Sequence, residues 1–225
     1  GATDQPVHDQ DALLVGVLFG FPGLHPSPEG PRLKHHSHIL GVHPQYRNQG
    51  LGFVLKRAQW QMVRHQNIAL VTWTYDPLLS RNGHLNIHRL GAVCNTYIRQ
   101  AYGEMQDALN ADLASDRFQV DWWVESQRVF TRLSKKPRKR LDLAHFLAAG
   151  SPILNPSQIS PGGLPVPAPE AATTCQPDPE QAPVVLVEIP ADFLALKAAN
   201  MQLAFDWRMH TRAIFEGLFK QGYYV

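Results

Sequence analysis

Cysteine is scarce in this chain: two in 225 residues, Cys94 and Cys175, far apart and in unlike settings. So few thiols exclude a disulfide framework and match a reducing, cytoplasmic compartment. No apolar run approaches the ~20 residues that span a bilayer, so no membrane partner is expected. There is no Cys-x-x-Cys and no His-Glu-x-x-His. His35, His36, His38 and His43 lie close in sequence, but a zinc site needs three or four ligands and a second shell. No metal is expected. Charge of one sign is also lacking, with a formal net charge of only +2. The basic run at 135–140 adjoins a proline-rich stretch and has no interleaved aromatics. It reads as a solvated segment, and no nucleic acid is expected. A hydrophobic fraction of 44% is enough for a core.

What is present is a strand–turn–helix signal at Leu40-Gly41-Val42-His43-Pro44-Gln45-Tyr46-Arg47-Asn48-Gln49-Gly50-Leu51-Gly52. The apolar run ends at Val42, and Pro44 has no N–H with which to continue a central strand. Beyond Gly50, Leu51, Val54, Leu55, Ala58 and Met62 recur with helical spacing and predict an apolar stripe. A helix start behind a glycine turn gathers free backbone N–H groups and favours a phosphate. It is no Walker loop, because Phe53 stands where Lys-Ser or Lys-Thr would follow. It is no dinucleotide fingerprint, because the third glycine is missing.

Further along, residues 68–75 read as a β-branched and aromatic strand closed by Asp76-Pro77. A short helix follows over 79–90, then strands near 96–102 and 118–124. An upstream strand over 12–19 is expected to stop at Gly20-Phe21-Pro22-Gly23. Together the turn and its flanking elements resemble motif A of the GNAT family, the GCN5-related N-acetyltransferases. Arg47, Gly50 and Gly52 fill its [QR]-x-x-G-x-[GA] turn. LVTWTYDPL and NIHRLGAVCNTY add a likeness to a little-studied bacterial branch of the family. The resemblance covers residues 12–130 and implies an α/β fold, a mixed β-sheet flanked by helices. It also implies one strand and two helices ahead of residue 12; the polar opening residues lack helical period, so these are expected to be missing or supplied another way.

The function implied is transfer of an acetyl, or larger acyl such as succinyl, group from acyl-CoA to a primary amine, an amino acid for example. Acetyl-CoA or another acyl-CoA would be the cofactor, and the amine would attack the thioester directly. Arg47, Asn48, Gln49, Gly50, Leu51 and Gly52 would hold the pyrophosphate, with Leu40 and Val42 pairing with the pantetheine through their backbones. Asn82 and Asn86 resemble asparagines that bond the same arm; helix capping and a solvated face are their plainer readings.

For the proton, strand alternation projects His36 and His38 with Leu40 and Val42. A histidine suits a general base near neutrality. Ordinary core or surface histidines are the competing reading. A β-bulge near Gly41 would exchange the faces and point to His35 and Ser37 instead. The tyrosine that many relatives carry in the helix after the second strand is absent, with Asn86 and Ile87 in that neighbourhood. That absence keeps a rival open, a non-catalytic acyl-CoA-binding module.

Domains are expected as a GNAT-like domain over 1–132, a basic then proline-rich linker over 133–183, and a C-terminal strand and helices over 184–225. Asp192 is placed to cap the first of these helices, and the longer one is expected over 202–220. The strand at 184–189 would join an edge of the main sheet or a partner's sheet, the latter making a homodimer.

Overall fold

The turn after Val42 separates a β-hairpin from a helix, as the sequence predicts. A computed structural model describes residues 13–103, 113–134, 141–168 and 177–225. The chain divides into two units, Gly1–Ala69 and Leu70–Val225. The class is α/β, and the elements run strand, strand, helix, strand, helix, strand, strand through residue 123, the order that the GNAT resemblance implies.

In the first unit β1 (Gly16–His25) pairs antiparallel with β2 (Arg32–Val42), and α1 (Leu51–His65) follows. The glycines at 20 and 23 do not end β1, contrary to expectation, because the ladder absorbs them with a bulge. Phe19 pairs with Ile39 and Gly20 with Ser37, so His38 is left without a partner. At Gly20 a Cβ would fall 2.3 Å from His35 Nε2, so only glycine lets that ring cross the hairpin.

Helix α1 forms where its spacing predicts but turns a different face inward. Val54 and Met62 are exposed, while Lys56, Gln59 and Val63 are buried. Lys56 Nζ donates to Ser37 Oγ at 2.9 Å and to Gln59 Oε1 at 3.1 Å, which satisfies polar groups under the helix.

The second unit is built on β3 (Leu70–Tyr75), β4 (Val93–Ile98) and β5 (Arg117–Trp123), all antiparallel, with β5 between the other two. Val71, Trp73 and Tyr75 sit opposite Trp122, Val120 and Phe118 and share a buried face. Trp73 and Trp122 meet edge-on at 5.8 Å, and Trp122 Nε1 donates to Leu90 O. Between β3 and β4, α2 (Ser80–Gly83) runs into a π-helical turn, His84–Arg89. Short helices α3 (Gln127–Leu133) and α4 (Leu143–Ala148) follow, capped by Ser126 and Asp142. A small hairpin then pairs β6 (Gln158–Ile159) with β7 (Pro165–Val166).

Helices α5 (Phe193–Ala199) and α6 (Met201–Lys220) close the chain, with Asp192 capping α5 as expected. Leu78, Phe193, Leu196, Leu203 and Trp207 form one cluster of the core. Arg208 on α6 donates to both carboxylate oxygens of Asp76 at 2.8 and 2.5 Å, and Arg212 Nε to Asp116 Oδ2 at 2.7 Å.

The run at 184–189 is not a strand. Only Leu186 makes a bridge, to Ile153 of the stretch expected as linker. Pro183 and Pro190 interrupt the backbone donors on either side of the run. Side chains hold it extended instead: Asn155 exchanges bonds with the Glu188 backbone, and Ser157 donates to the Glu188 carboxylate. The run therefore joins no edge of the main sheet. The edge of β4 is met by Val225, which exchanges two backbone bonds with Cys94. The basic run 135–140, Glu104 and Cys175 lie outside the described residues.

Candidate active site

The turn between β2 and α1 is open and rich in donors. Asn48 (φ 66°) and Gly50 (φ 82°) adopt left-handed backbone, and a Cβ at Gly50 would meet nothing within 4 Å. The N–H groups of residues 48–52 find no acceptor among the described residues. Gly50 offers no side-chain cap to α1, and its first turn carries no acidic residue. A fifteen-residue helix thus presents its positive end, with a nest of free amides, to solvent. Arg47 turns the other way: its Nε donates to Val42 O at 3.2 Å and pins the strand end to the turn. Gln49 reaches back to Gln45 O at 3.4 Å. Of the predicted cradle, the backbone from Asn48 to Gly52 is therefore available, while the Arg47 and Gln49 side chains are engaged.

The bulge at His38 decides which histidines share a face. Ser37 is bonded to Lys56 on α1, and Val42 Cγ2 lies 3.9 Å from the missing Cβ of Gly16, where Leu55 of α1 also packs at 3.1 Å. His35 and Ser37 therefore lie on the α1 side with Val42, as does Leu40 two residues before it. The alternation that joined His36 and His38 to Leu40 and Val42 is broken by the extra residue. His36 and His38 stand on the opposite face among aromatics. Phe21 lies 5.0 Å from His36 and 5.6 Å from His38, and the two imidazoles are 6.0 Å apart.

Burial holds the His36 imidazole below its ordinary pKa, helped by His38, Lys34 and Lys56 nearby. His35 is shifted the same way by burial, then by Lys56 and His36, and its Nε2 has no hydrogen-bond partner among the described residues. Lys56, which sequence reasoning missed, is pushed down to about 7 by burial. A lone lysine within a helix gives no sequence signal of facing inward.

Asn82 and Asn86 belong to the second unit. Asn82 lies inside α2, whose N-cap is Leu79, so it does not cap the helix. Asn86 is buried in the π-helical turn, not on a solvated face, and its carbonyl accepts from Ala92 N at 3.0 Å. The Tyr75 hydroxyl lies 3.8 Å from where a Cβ of Gly83 would be. Burial raises the pKa of that hydroxyl, and the Cys94 thiol beside it adds to the shift. Tyr97 and Tyr102 serve packing, donating to Asp116 Oδ2 and contacting Thr74 Oγ1. No group of three or more His, Cys, Asp or Glu side chains suited to a metal occurs among the described residues.

No family model matches the chain, and no curated protein matches it. Solved structures similar to it include Chaetomium thermophilum Naa20 in complex with a bisubstrate analogue, 15% identical over 59% of this chain and 71% of that one, with a TM-score of 0.41. Arabidopsis thaliana NAA60 in complex with a bisubstrate analogue is 15% identical over 53% and 70%, with a TM-score of 0.39. Arabidopsis thaliana Naa50 in complex with the bisubstrate analogue CoA-Ac-MVNAL is 19% identical over 48% and 64%, with a TM-score of 0.36.

Proposed function

We propose that this chain is an N-acyltransferase of the GNAT type that takes acetyl-CoA, or a larger acyl-CoA, and transfers the acyl group to a primary amine, an amino acid being the simplest acceptor. The observation that carries this reading is the row of unpartnered amides at residues 48–52 on the open start of α1. Those donors bind the pyrophosphate of coenzyme A through backbone alone, so the turn needs glycine more than any particular charged side chain. The backbones of Leu40 and Val42 are the candidates for the pantetheine.

His36 is the candidate base for an amine that approaches from the face opposite Leu40 and Val42; on their own face the bulge makes His35, with its unpartnered Nε2, the candidate. The lowered pKa of His36 keeps it neutral at pH 7, and only neutral imidazole can take the proton of an ammonium acceptor. His38, 6.0 Å away, is the second candidate. A module that binds acyl-CoA without turnover is the alternative, favoured by the lack of a tyrosine in the helical segment after β3.

Calorimetric titration with coenzyme A tests the turn. Gly50→Val places a β-branched side chain at φ 82° and should weaken binding by about tenfold or more, ~1.4 kcal/mol. Unchanged affinity would show that the phosphates bind elsewhere. Thiol release from acetyl-CoA across a panel of amines separates the enzyme from the module.

A further inference from the structure

A cavity of about 640 Å³ lies wholly inside the second unit, between the sheet, α2, the extended run at 184–189 and α6. Tyr75 and Phe118 form its sheet wall, Ile87 comes from the π-helical turn, Val187 from the extended run, and Phe215 and Phe219 from α6. No lysine, arginine, histidine, aspartate or glutamate contributes to the wall among the described residues. Two of the lining hydroxyls are engaged already: Ser80 Oγ donates to Ala191 O at 3.0 Å and Tyr223 Oη to Ala182 O at 2.6 Å.

A soft apolar hollow of this kind ordinarily closes by side-chain rearrangement, since dense packing is the norm in protein interiors. Here one wall cannot follow. The run at 184–189 is fastened from behind by the Leu186–Ile153 bridge and by the bonds of Asn155 and Ser157 to Glu188. Its other end is tied down where Tyr223 meets Ala182. What faces the hollow is mainly hydrocarbon and aromatic ring, with a minority of uncharged polar surface. The volume lies within the range of small-molecule sites, roughly 300–1,000 Å³.

We propose that this cavity is a binding site for an uncharged, hydrocarbon-rich small molecule of the size of a medium-chain alcohol or an alkylbenzene. The site is separate from the amide nest and does not depend on the acyltransferase reading. A charged ligand is disfavoured because its ion would be buried without a partner.

The test is saturable binding of the neutral dye N-phenyl-1-naphthylamine to the whole chain, with displacement by 1-decanol and by decanoate. Decanol should displace the dye and decanoate should not. Val187→Trp fills the cavity from the extended run. Gly83→Leu fills it from α2, where Gly83 has ordinary helical backbone (φ −56°, ψ −47°) and a larger residue suits the helix. Each should weaken dye binding by about tenfold or more, with far-UV circular dichroism unchanged. Leu194→Ser, at an exposed position outside the cavity, should leave binding as it was. Absence of saturable binding, unchanged affinity in whichever filling variant keeps its fold, or equal displacement by decanoate would each overturn the proposal.

Discussion

The two units are built on opposite plans. In the first, the layer between the hairpin and α1 is polar: His35, Ser37, Lys56 and Gln59 are all buried there, while Val17, Phe19, Phe21 and Val54 are exposed. In the second, Val71, Phe118, Val120, Trp122 and Trp207 fill the interior, and its buried charges Arg208 and Asp116 each pair with an opposite charge, Asp76 and Arg212. Apolar burial contributes about 25 cal/mol per Å², whereas buried polar groups at best break even. The first unit therefore holds its shape with little to spare and the second with a reserve. The amide nest and the histidine pair both sit on the weaker plan, where local opening costs least.

The largest expected effect falls on the reserve. Arg208→Ala leaves the Asp76 carboxylate with Arg117 at 3.8 Å as its remaining cation and the Leu78 N–H as its remaining short bond, and should destabilise the second unit by ~3–5 kcal/mol. Hydrogen exchange of the β3 and β5 amides reads this directly. A change below about 1 kcal/mol would mean that water or Arg117 compensates the Asp76 carboxylate once Arg208 is gone.

Chemistry should respond strongly on the other side. If His36 is the base, His36→Gln lowers turnover by roughly 10²–10⁴-fold with coenzyme A affinity preserved. In the parent protein, turnover should fall on the acid side as the imidazole gains its proton, below the ordinary histidine pKa because burial depresses it. His38→Gln is the matched comparison. Full turnover in both variants and in the pair would move the role to His35, on the face of Leu40 and Val42.

A smaller effect tests the polar layer itself. Folded Lys56 titrates at about 7 and an unfolded lysine near ~10.4. Between those values the unfolded chain holds more protons, so stability rises with pH across that window and the lysine's penalty is full below it. Denaturant titrations at pH 7 and pH 9 should differ by about 2–3 kcal/mol in the first unit. Lys56→Met should flatten that slope whatever it does to the baseline. An unflattened slope would place the lysine in water. The smallest change expected is Met62→Gln, within about ±0.5 kcal/mol, against more than about 1 kcal/mol for Val63→Ala one residue on. Reversed sizes would mean that α1 lies the other way round.

The legible parts were those set by local rules. Pro44, Gly50 and the run behind Val42 place strand, turn and helix, and the β-branched run places β3. Asp192 announces its helix because a side chain bonding its own backbone is a local event. The face of the histidines was not legible, since it depends on the register of β1 against β2 and on one extra residue at His38. The inward face of α1 was misjudged for a related reason: spacing marks Val54, Ala58 and Met62 as a stripe, but tertiary contacts turn Lys56 and Gln59 inward. Residues 184–189 have strand composition, yet prolines on either side and side-chain ties make them a wall. The amide nest could be inferred from sequence because backbone donors at a helix start require no partner.

The tryptophans are divided as unevenly as the cores. Trp60 alone lies in the first unit, on α1, with the Arg64 guanidinium 4.6 Å above its ring; Trp73, Trp122, Trp123 and Trp207 all lie in the second. Intrinsic emission is therefore a report on the second unit with a faint trace of the first. An early loosening of the hairpin and α1 would pass almost unseen in such a signal, and a single clean transition would look like concerted unfolding. A variant retaining Trp60 as the sole indole would let the fragile unit speak for itself.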